Sequence, residues 1–212
     1  MQIVFLLYHG MTALDLVGPH EILCRLPGAK IQRAAERPGL IHTDSGLMLN
    51  VEHALSDISH ADILVIPGAG NATTLRKTPK TLDWIHSIHA TTTWTTSVCT
   101  GSLILGAAGI LSGLRATTHW AAFDRLEYWG AQPTHGRIVE DGRVITAAGV
   151  SAGIDMALNL AIKVAGAQFT QTIQLGIEYD PEPPFDMGSF KKADSPIRNA
   201  LQVRMAADFE PK

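Results

Sequence analysis

Residues 91–111, TTTWTTSVCTGSLILGAAGIL, constrain the fold more than any other stretch of this chain. The first half, up to Val98, is β-branched and aromatic, which suits a strand. The second half, from Ser102, is small and apolar, which suits a helix buried on most sides. Only Cys99, Thr100 and Gly101 stand between them. A strand that turns into a helix at one residue forces that residue into a tight conformation and sets its side chain above the sheet edge. A glycine two positions on lets the backbone pass closely. Residues 97–101 therefore read as an elbow of the x-x-nucleophile-x-Gly type, with Ser97 where a first glycine often sits. The unpaired N–H groups and the dipole at the helix start favour a thiolate, which predicts a Cys99 pKa below the ~8.5 of a free thiol. A free cysteine is often no more than a small buried hydrophobe, but such a cysteine has no need of a sharp turn.

An elbow needs a sheet, and the rest of the chain supplies one. Residues 2–7 (QIVFLL) and 62–67 (DILVIP) are the continuous apolar runs of strands covered on both faces. Residues 30–35 form a further strand, and hairpins are expected around Asp44-Ser45-Gly46 and Asp141-Gly142. Helical patterns occupy residues 13–26, 81–90, 120–129, 151–165 and 169–177, the first of them broken at Gly18-Pro19 because Pro19 lacks an N–H. Strands alternating with helices predict an α/β domain with a mainly parallel sheet, in which ligands lie outside the carboxyl ends of the strands. Leu7-Tyr8, Pro67-Gly68 and Val98-Cys99 are thus expected to meet at one edge. Gly68-Ala69-Gly70-Asn71 follows its strand at once and turns backbone N–H groups towards that edge. The chain of 212 residues suits one domain over 1–212, with a Pro-rich tail from about residue 181 that is expected to be extended.

Composition removes several function classes. A net charge of −3 without any basic run makes nucleic acid and anionic membrane surfaces poor partners. No apolar run reaches the ~20 residues needed to span a bilayer, and residues 1–8 read as a strand rather than a signal peptide. Cys24 and Cys99 show no metal-ligand spacing and suggest no disulfide framework, so the default compartment is the reducing cytoplasm. The glycine turn is not GxGxxG, and no cofactor or metal is expected.

A nucleophilic thiol needs a proton donor or acceptor and an oxyanion-type pocket. The candidates are Asp15, Glu21, His9, His119 and Thr100. Asp15 follows the end of the first strand closely and sits among Leu14, Leu16 and Val17. A carboxyl there, partly withdrawn from water, has a raised pKa and carries a proton, whereas an ordinary helix-terminus carboxylate needs only the dipole. His119, next to Trp120, reads as a pocket-wall or structural histidine.

At these residues the chain resembles a known family. Residues 14–23 (LDLVGPHEIL), 65–70 (VIPGAG), 98–111 (VCTGSLILGAAGIL) and 115–126 (RATTHWAAFDRL) closely resemble the isonitrile hydratases of the ThiJ/PfpI superfamily. Residues 149–157 (GVSAGIDMA) and 175–185 (LGIEYDPEPPF) extend the likeness to essentially the whole chain. The resemblance implies the class I glutamine amidotransferase-like fold, a flavodoxin-like three-layer α/β sandwich, and a homodimer. It implies Cys99 as nucleophile, Asp15 as its carboxylate partner and Thr100 beside the thiol. Gly68, Ala69, Gly70 and His119 are then expected around the substrate, although Ala69 departs from the Pro-Gly-Gly of relatives. Protease-like relatives place His after the nucleophile, and Thr100 stands there instead, so peptide hydrolysis ranks low.

The expected activity is cofactor-free hydration of an isonitrile to an N-substituted formamide through a Cys99 thioimidate. Two alternatives come from the same superfamily. A ligand-sensing domain of a transcription regulator continues into helix-turn-helix units, for which too few residues follow Gly176. A glyoxalase or deglycase of the stress-response type generally pairs its cysteine with a Glu in a different local motif.

Overall fold

The computed structural model describes residues 1–70 and 78–209. Asn71, the last residue of the glycine turn, lies outside them. The strands are β1 (Gln2–Leu6), β2 (Lys30–Ala35), β3 (Gly39–His42), β4 (Met48–Val51), β5 (His53–Ala54), β6 (Ile63–Ile66), β7 (Trp94–Val98), β8 (Arg115–Ala116), β9 (Gln132–Pro133), β10 (Ile138–Asp141) and β11 (Val144–Ala147). The α-helices are α1 (Ala13–Leu23), α2 (Pro79–His89), α3 (Gly101–Ala107), α4 (Ala152–Ala165), α5 (Ala167–Gly176) and α6 (Ser195–Phe209).

Seven strands form one sheet in the order β10-β11-β7-β6-β1-β2-β5. All neighbours run parallel except the β10–β11 hairpin. β6 and β11 are buried throughout and β1 and β7 nearly so, as expected for strands covered on both faces. The crossover β1–α1–β2 steps one way along the sheet and β6–α2–β7 steps the other. Right-handed crossovers therefore put α1 and α2 on opposite faces, with α4 beside α1 and α3 beside α2. The carboxyl ends of β1, β6 and β7 are adjacent, and here the order of the chain through the sheet reverses direction.

Three expectations are corrected. α1 does not break at Gly18-Pro19 but runs through Pro19 as one helix ending at Leu23. Close packing on α4 decides this: a Cβ on Gly18 would lie 2.9 Å from Ile154 Cγ1, and one on Gly153 would lie 3.2 Å from Pro19 Cγ. Tertiary contact thereby outweighs the lost hydrogen bond. Residues 120–129 are not an α-helix but two 3-10 segments, Trp120–Arg125 and Glu127–Trp129. The His119 ring caps the first and left-handed Gly130 ends the second, so the stretch closes with i to i+3 bonds. The tail is irregular only until Asp194, after which α6 begins. Ser195-Pro196 ahead of Ile197, Leu201 and Met205 is the helix-start signal that the Pro-rich reading passed over.

Candidate active site

Cys99 directly follows β7 with φ +57°, the left-handed region that a non-glycine residue seldom occupies. Its backbone is held there from every side. Its N–H donates to the carbonyls of Ala147 and Ala148, each at 3.1 Å. Its own carbonyl accepts from Ser102 Oγ at 3.2 Å and Thr118 Oγ1 at 3.0 Å. Strained backbone persists where surrounding bonds over-determine it. Gly101 completes the elbow, because a Cβ there would lie 2.2 Å from the Ile66 carbonyl oxygen. That neighbour is backbone and cannot yield, so Gly101→Ala is expected to lower stability by at least about 2 kcal/mol. A urea midpoint unchanged by the substitution would contradict this account of the elbow.

Asp15 occupies the first turn of α1 and is fully buried. Its Oδ2 accepts the Gly68 N–H at 2.8 Å, while Oδ1 has no hydrogen-bond partner among the described residues. Burial pushes the carboxyl up to about 7, against the Gly68 N–H and the neighbouring Cys99 thiol, which lower it, and with the Asp44 charge, which raises it. A raised pKa is what the sequence reading expected, although of the apolar neighbours it invoked only Leu16 is buried, Leu14 and Val17 being exposed.

The expectation for Cys99 is overturned. Its thiol is 5% exposed, and burial, then the Asp15 charge, push its pKa well above the usual thiol range. The N–H groups of Thr100 and Val150 and the Thr100 hydroxyl oppose the rise without reversing it. α3 has only seven residues and offers a weak dipole, while removal from water penalises the thiolate directly. In the resting site the proton therefore stays on sulfur. A carboxyl titrating near neutrality lies beside it, an arrangement in which a proton can be exchanged between the two groups.

Thr100 and the glycine turn hold this geometry. The Thr100 hydroxyl accepts the Ala69 N–H at 2.9 Å and donates to the Ala69 carbonyl at 2.8 Å. A Cβ on Gly68 would lie 2.6 Å from the Thr100 nitrogen, so no larger residue fits. The N–H of Gly68 serves Asp15 and that of Ala69 serves Thr100, so these two amides shape the pocket and are not open donors for an oxyanion. The N–H groups that face sulfur belong to Thr100 and Val150. Gly70 is half-buried and has open space about it. His119 is half-buried, with its ring where a Cβ on Gly149 would meet it at 2.4 Å. Its Nδ1 accepts the Ala121 N–H, and burial lowers its pKa to about 4, leaving it neutral at pH 7.

Glu21 and His9 do not join the thiol. Glu21 pairs with Arg25 at 3.0 Å on the surface, and His9 stacks on His42 at the rim. Two residues have a place here that the sequence reading did not give: Val150 was not singled out, and Tyr8 was expected at this edge but without a part for its hydroxyl. Val150 was legible only as part of a stretch preceding α4, with no sign that its N–H meets sulfur. Tyr8, the residue after β1, is buried and donates its hydroxyl to the Pro67 carbonyl at 2.9 Å. Burial, then Asp15, Cys99 and Asp44, raise its pKa.

Residues 1–163 match the DJ-1/PfpI family. An isonitrile hydratase from Pseudomonas putida is 41% identical over 210 residues, which cover 99% of this chain and 92% of that protein. An HTH-type transcriptional regulator, CdhR from Pseudomonas aeruginosa, is 32% identical over 132 residues, covering 61% of this chain but 39% of the regulator. The crystal structure of a ThiJ/PfpI family protein from Pseudomonas syringae superposes with a TM-score of 0.95 at 39% identity, covering 97% of this chain and 86% of that one.

Proposed function

This chain belongs to the DJ-1/PfpI family, and from that premise we propose that it is a lyase hydrating isonitriles to N-substituted formamides, with Cys99 as nucleophile. The observation that carries the reading is the buried Asp15 carboxyl, titrating near 7 against the Cys99 thiol, in a chain akin along its length to a hydratase. The isonitrile carbon is electrophilic and soft, which suits sulfur. As the S–C bond forms, the thiol proton passes to Asp15 and from there to the former isonitrile carbon, giving the thioimidate R–N=CH–S–Cys99. Water then adds to that carbon, one of its protons going to nitrogen through Asp15. Collapse of the tetrahedral adduct breaks the C–S bond, releases R–NH–CHO and returns the last proton to sulfur. No cofactor enters these steps.

The N–H groups of Thr100 and Val150 support sulfur as its charge develops, and His119, neutral, serves as pocket wall. The test is to offer p-nitrophenyl isocyanide and methylglyoxal side by side. Formamide production with the first and inertness towards the second is the expected result. Turnover of methylglyoxal alone would replace the hydratase by a glyoxalase.

The protein works as a homodimer in a reducing, cytoplasmic compartment. Exposed apolar side chains support the first statement: Ile162 on α4 is 47% exposed and Leu175 on α5 is 81% exposed. Two free cysteines support the second, and no helix among the described residues is long and apolar enough to cross a membrane. Light scattering at micromolar concentration is expected to give twice the 22.8 kDa chain mass. A monomer would contradict the dimer.

A further inference from the structure

The hairpin of β3 and β4 is not part of the main sheet, yet its turn is tied to the candidate site. The N–H of Asp44 donates to the Met11 carbonyl at 3.0 Å, and Asp44 Oδ2 accepts the Thr12 hydroxyl at 2.6 Å. A further bond from the Gly10 N–H to the His42 carbonyl, at 2.8 Å, holds the base of the same turn. Thr12 carries the connection inward. Its N–H donates to the Gly68 carbonyl at 2.9 Å and its carbonyl accepts the Asp15 N–H at 3.2 Å. Gly68 in turn holds the Asp15 carboxylate. An unbroken chain of hydrogen bonds thus fixes one carboxylate relative to another.

Asp15, Cys99 and Tyr8 are each pushed towards their neutral forms, first of all by burial. Among the described residues, the titratable groups that face Asp15 are Tyr8 from the end of β1, Cys99 from the elbow and Asp44 from the hairpin. None of them is a cation. Asp44 forms no ion pair with Lys or Arg among the described residues, and His9 and His42, on either side of the Gly10–His42 bond, stack on each other at 5.8 Å. An exposed aspartate could point anywhere in solvent. This one is pinned by a threonine, and its charge raises the proton affinity of both Asp15 and Tyr8.

We propose that Asp44, held by Thr12, is a positioning and specificity residue whose negative charge keeps the shared proton on the Asp15–Cys99 pair and selects uncharged or cationic isonitriles over anionic ones. The choice of isonitriles rests on the hydratase reading, whereas the effect of charge on Cys99 does not. The first experiment therefore needs no substrate. Cys99 in the full chain is alkylated with neutral iodoacetamide and with anionic iodoacetate, and its own peptide is followed by mass spectrometry so that Cys24 does not interfere. Asp44→Asn keeps an acceptor for the Thr12 hydroxyl and removes only the charge. It is expected to raise the iodoacetate-to-iodoacetamide rate ratio about threefold, as a unit charge in a largely aqueous setting should. The difference should narrow in about 0.5 M salt, and the alkylation profile should move to lower pH. Thr12→Val, which frees the carboxylate while keeping it, is expected to shift the ratio in the same direction by less.

A ratio and profile unchanged in Asp44→Asn overturn the proposal, because a merely structural tether would leave charge discrimination alone. The second experiment compares kcat/KM for a cationic and an anionic isonitrile of equal size. The preference for the cation is expected to shrink about threefold in Asp44→Asn. An anionic isonitrile preferred by the unmodified protein overturns the selectivity. If alkylation responds but no isonitrile is turned over, the hydratase reading falls and the electrostatic role of Asp44 stands.

Discussion

Cys99→Ser is expected to reduce isonitrile turnover by at least about 10³-fold while leaving the fold intact. Sulfur and oxygen differ little in size, and serine accepts the left-handed backbone at residue 99 no worse than cysteine does. What changes is the nucleophile. The burial that already raises the Cys99 thiol would hold a hydroxyl still more firmly in its protonated form, and an Asp15 carboxyl titrating near 7 is too weak a base to remove that proton. Activity is to be compared as kcat/KM, with a thermal melt of each protein alongside. Retention of activity within a factor of about ten, a barrier change of only ~1.4 kcal/mol, would rule out a covalent thioimidate.

Asp15→Asn should move activity and stability in opposite directions. Asparagine keeps the shape and can accept the Gly68 N–H through its carbonyl oxygen, but it cannot relay a proton. The rate is expected to fall by roughly 10²-fold or more. The stability effect follows from linkage. With an unfolded value of 3.8 and a folded value of about 7, the folded protein holds a proton that the unfolded chain has released throughout that window. Stability therefore declines as pH rises from 3.8 to about 7 and stays lowered above it. The full penalty is roughly 4 kcal/mol, since Asp15 is wholly buried and each unit corresponds to about 1.36 kcal/mol. Removing the ionisable group should raise the melting temperature at pH 8 and confer little or no advantage near pH 4. A variant that melts like the parent at pH 8 and turns over normally would reduce Asp15 to an ordinary helix-terminus carboxylate. In the unmodified enzyme the acid limb of kcat/KM is expected near 7, and it belongs to the Asp15–Cys99 pair rather than to either residue.

The elbow was the most legible part of the sequence, because a β-branched run, a cysteine and a glycine-led apolar run leave one geometry open. The burial of Asp15 was expected from Leu14, Leu16 and Val17, but Leu14 and Val17 are themselves exposed, and it is the Gly68 turn after β6 that lies against the carboxyl. The charge state of Cys99 was not legible. Local spacing speaks for the helix start, while the deciding term is desolvation, which depends on everything packed above the elbow. Pro19 misled for a related reason: the partner that keeps its helix intact, the Gly153 turn of α4, lies far along the chain. The Thr12–Asp44 tether joins a helix start to a hairpin tip, and no periodicity announces such a pairing. α6 was hidden by the prolines before it, although Ser195-Pro196 carried the signal.

The spacing of the reacting groups is a property of the sheet itself. Asp15 follows β1 and Cys99 follows β7, and β6 lies between those two strands. Neighbouring strands stand about 4.8 Å apart, so the two chain segments begin roughly 10 Å from each other. Their side chains can meet across that gap only because the turn leaving β6 passes through a residue with no side chain, Gly68, where a Cβ would lie 3.0 Å from Asp15 Oδ2. The backbone ladder thus acts as a ruler for the acid–thiol distance, and substitutions elsewhere in the pocket cannot rescale it. Variation in the rim, the hairpin or the tail is free to change which molecules enter while the reaction they meet stays the same.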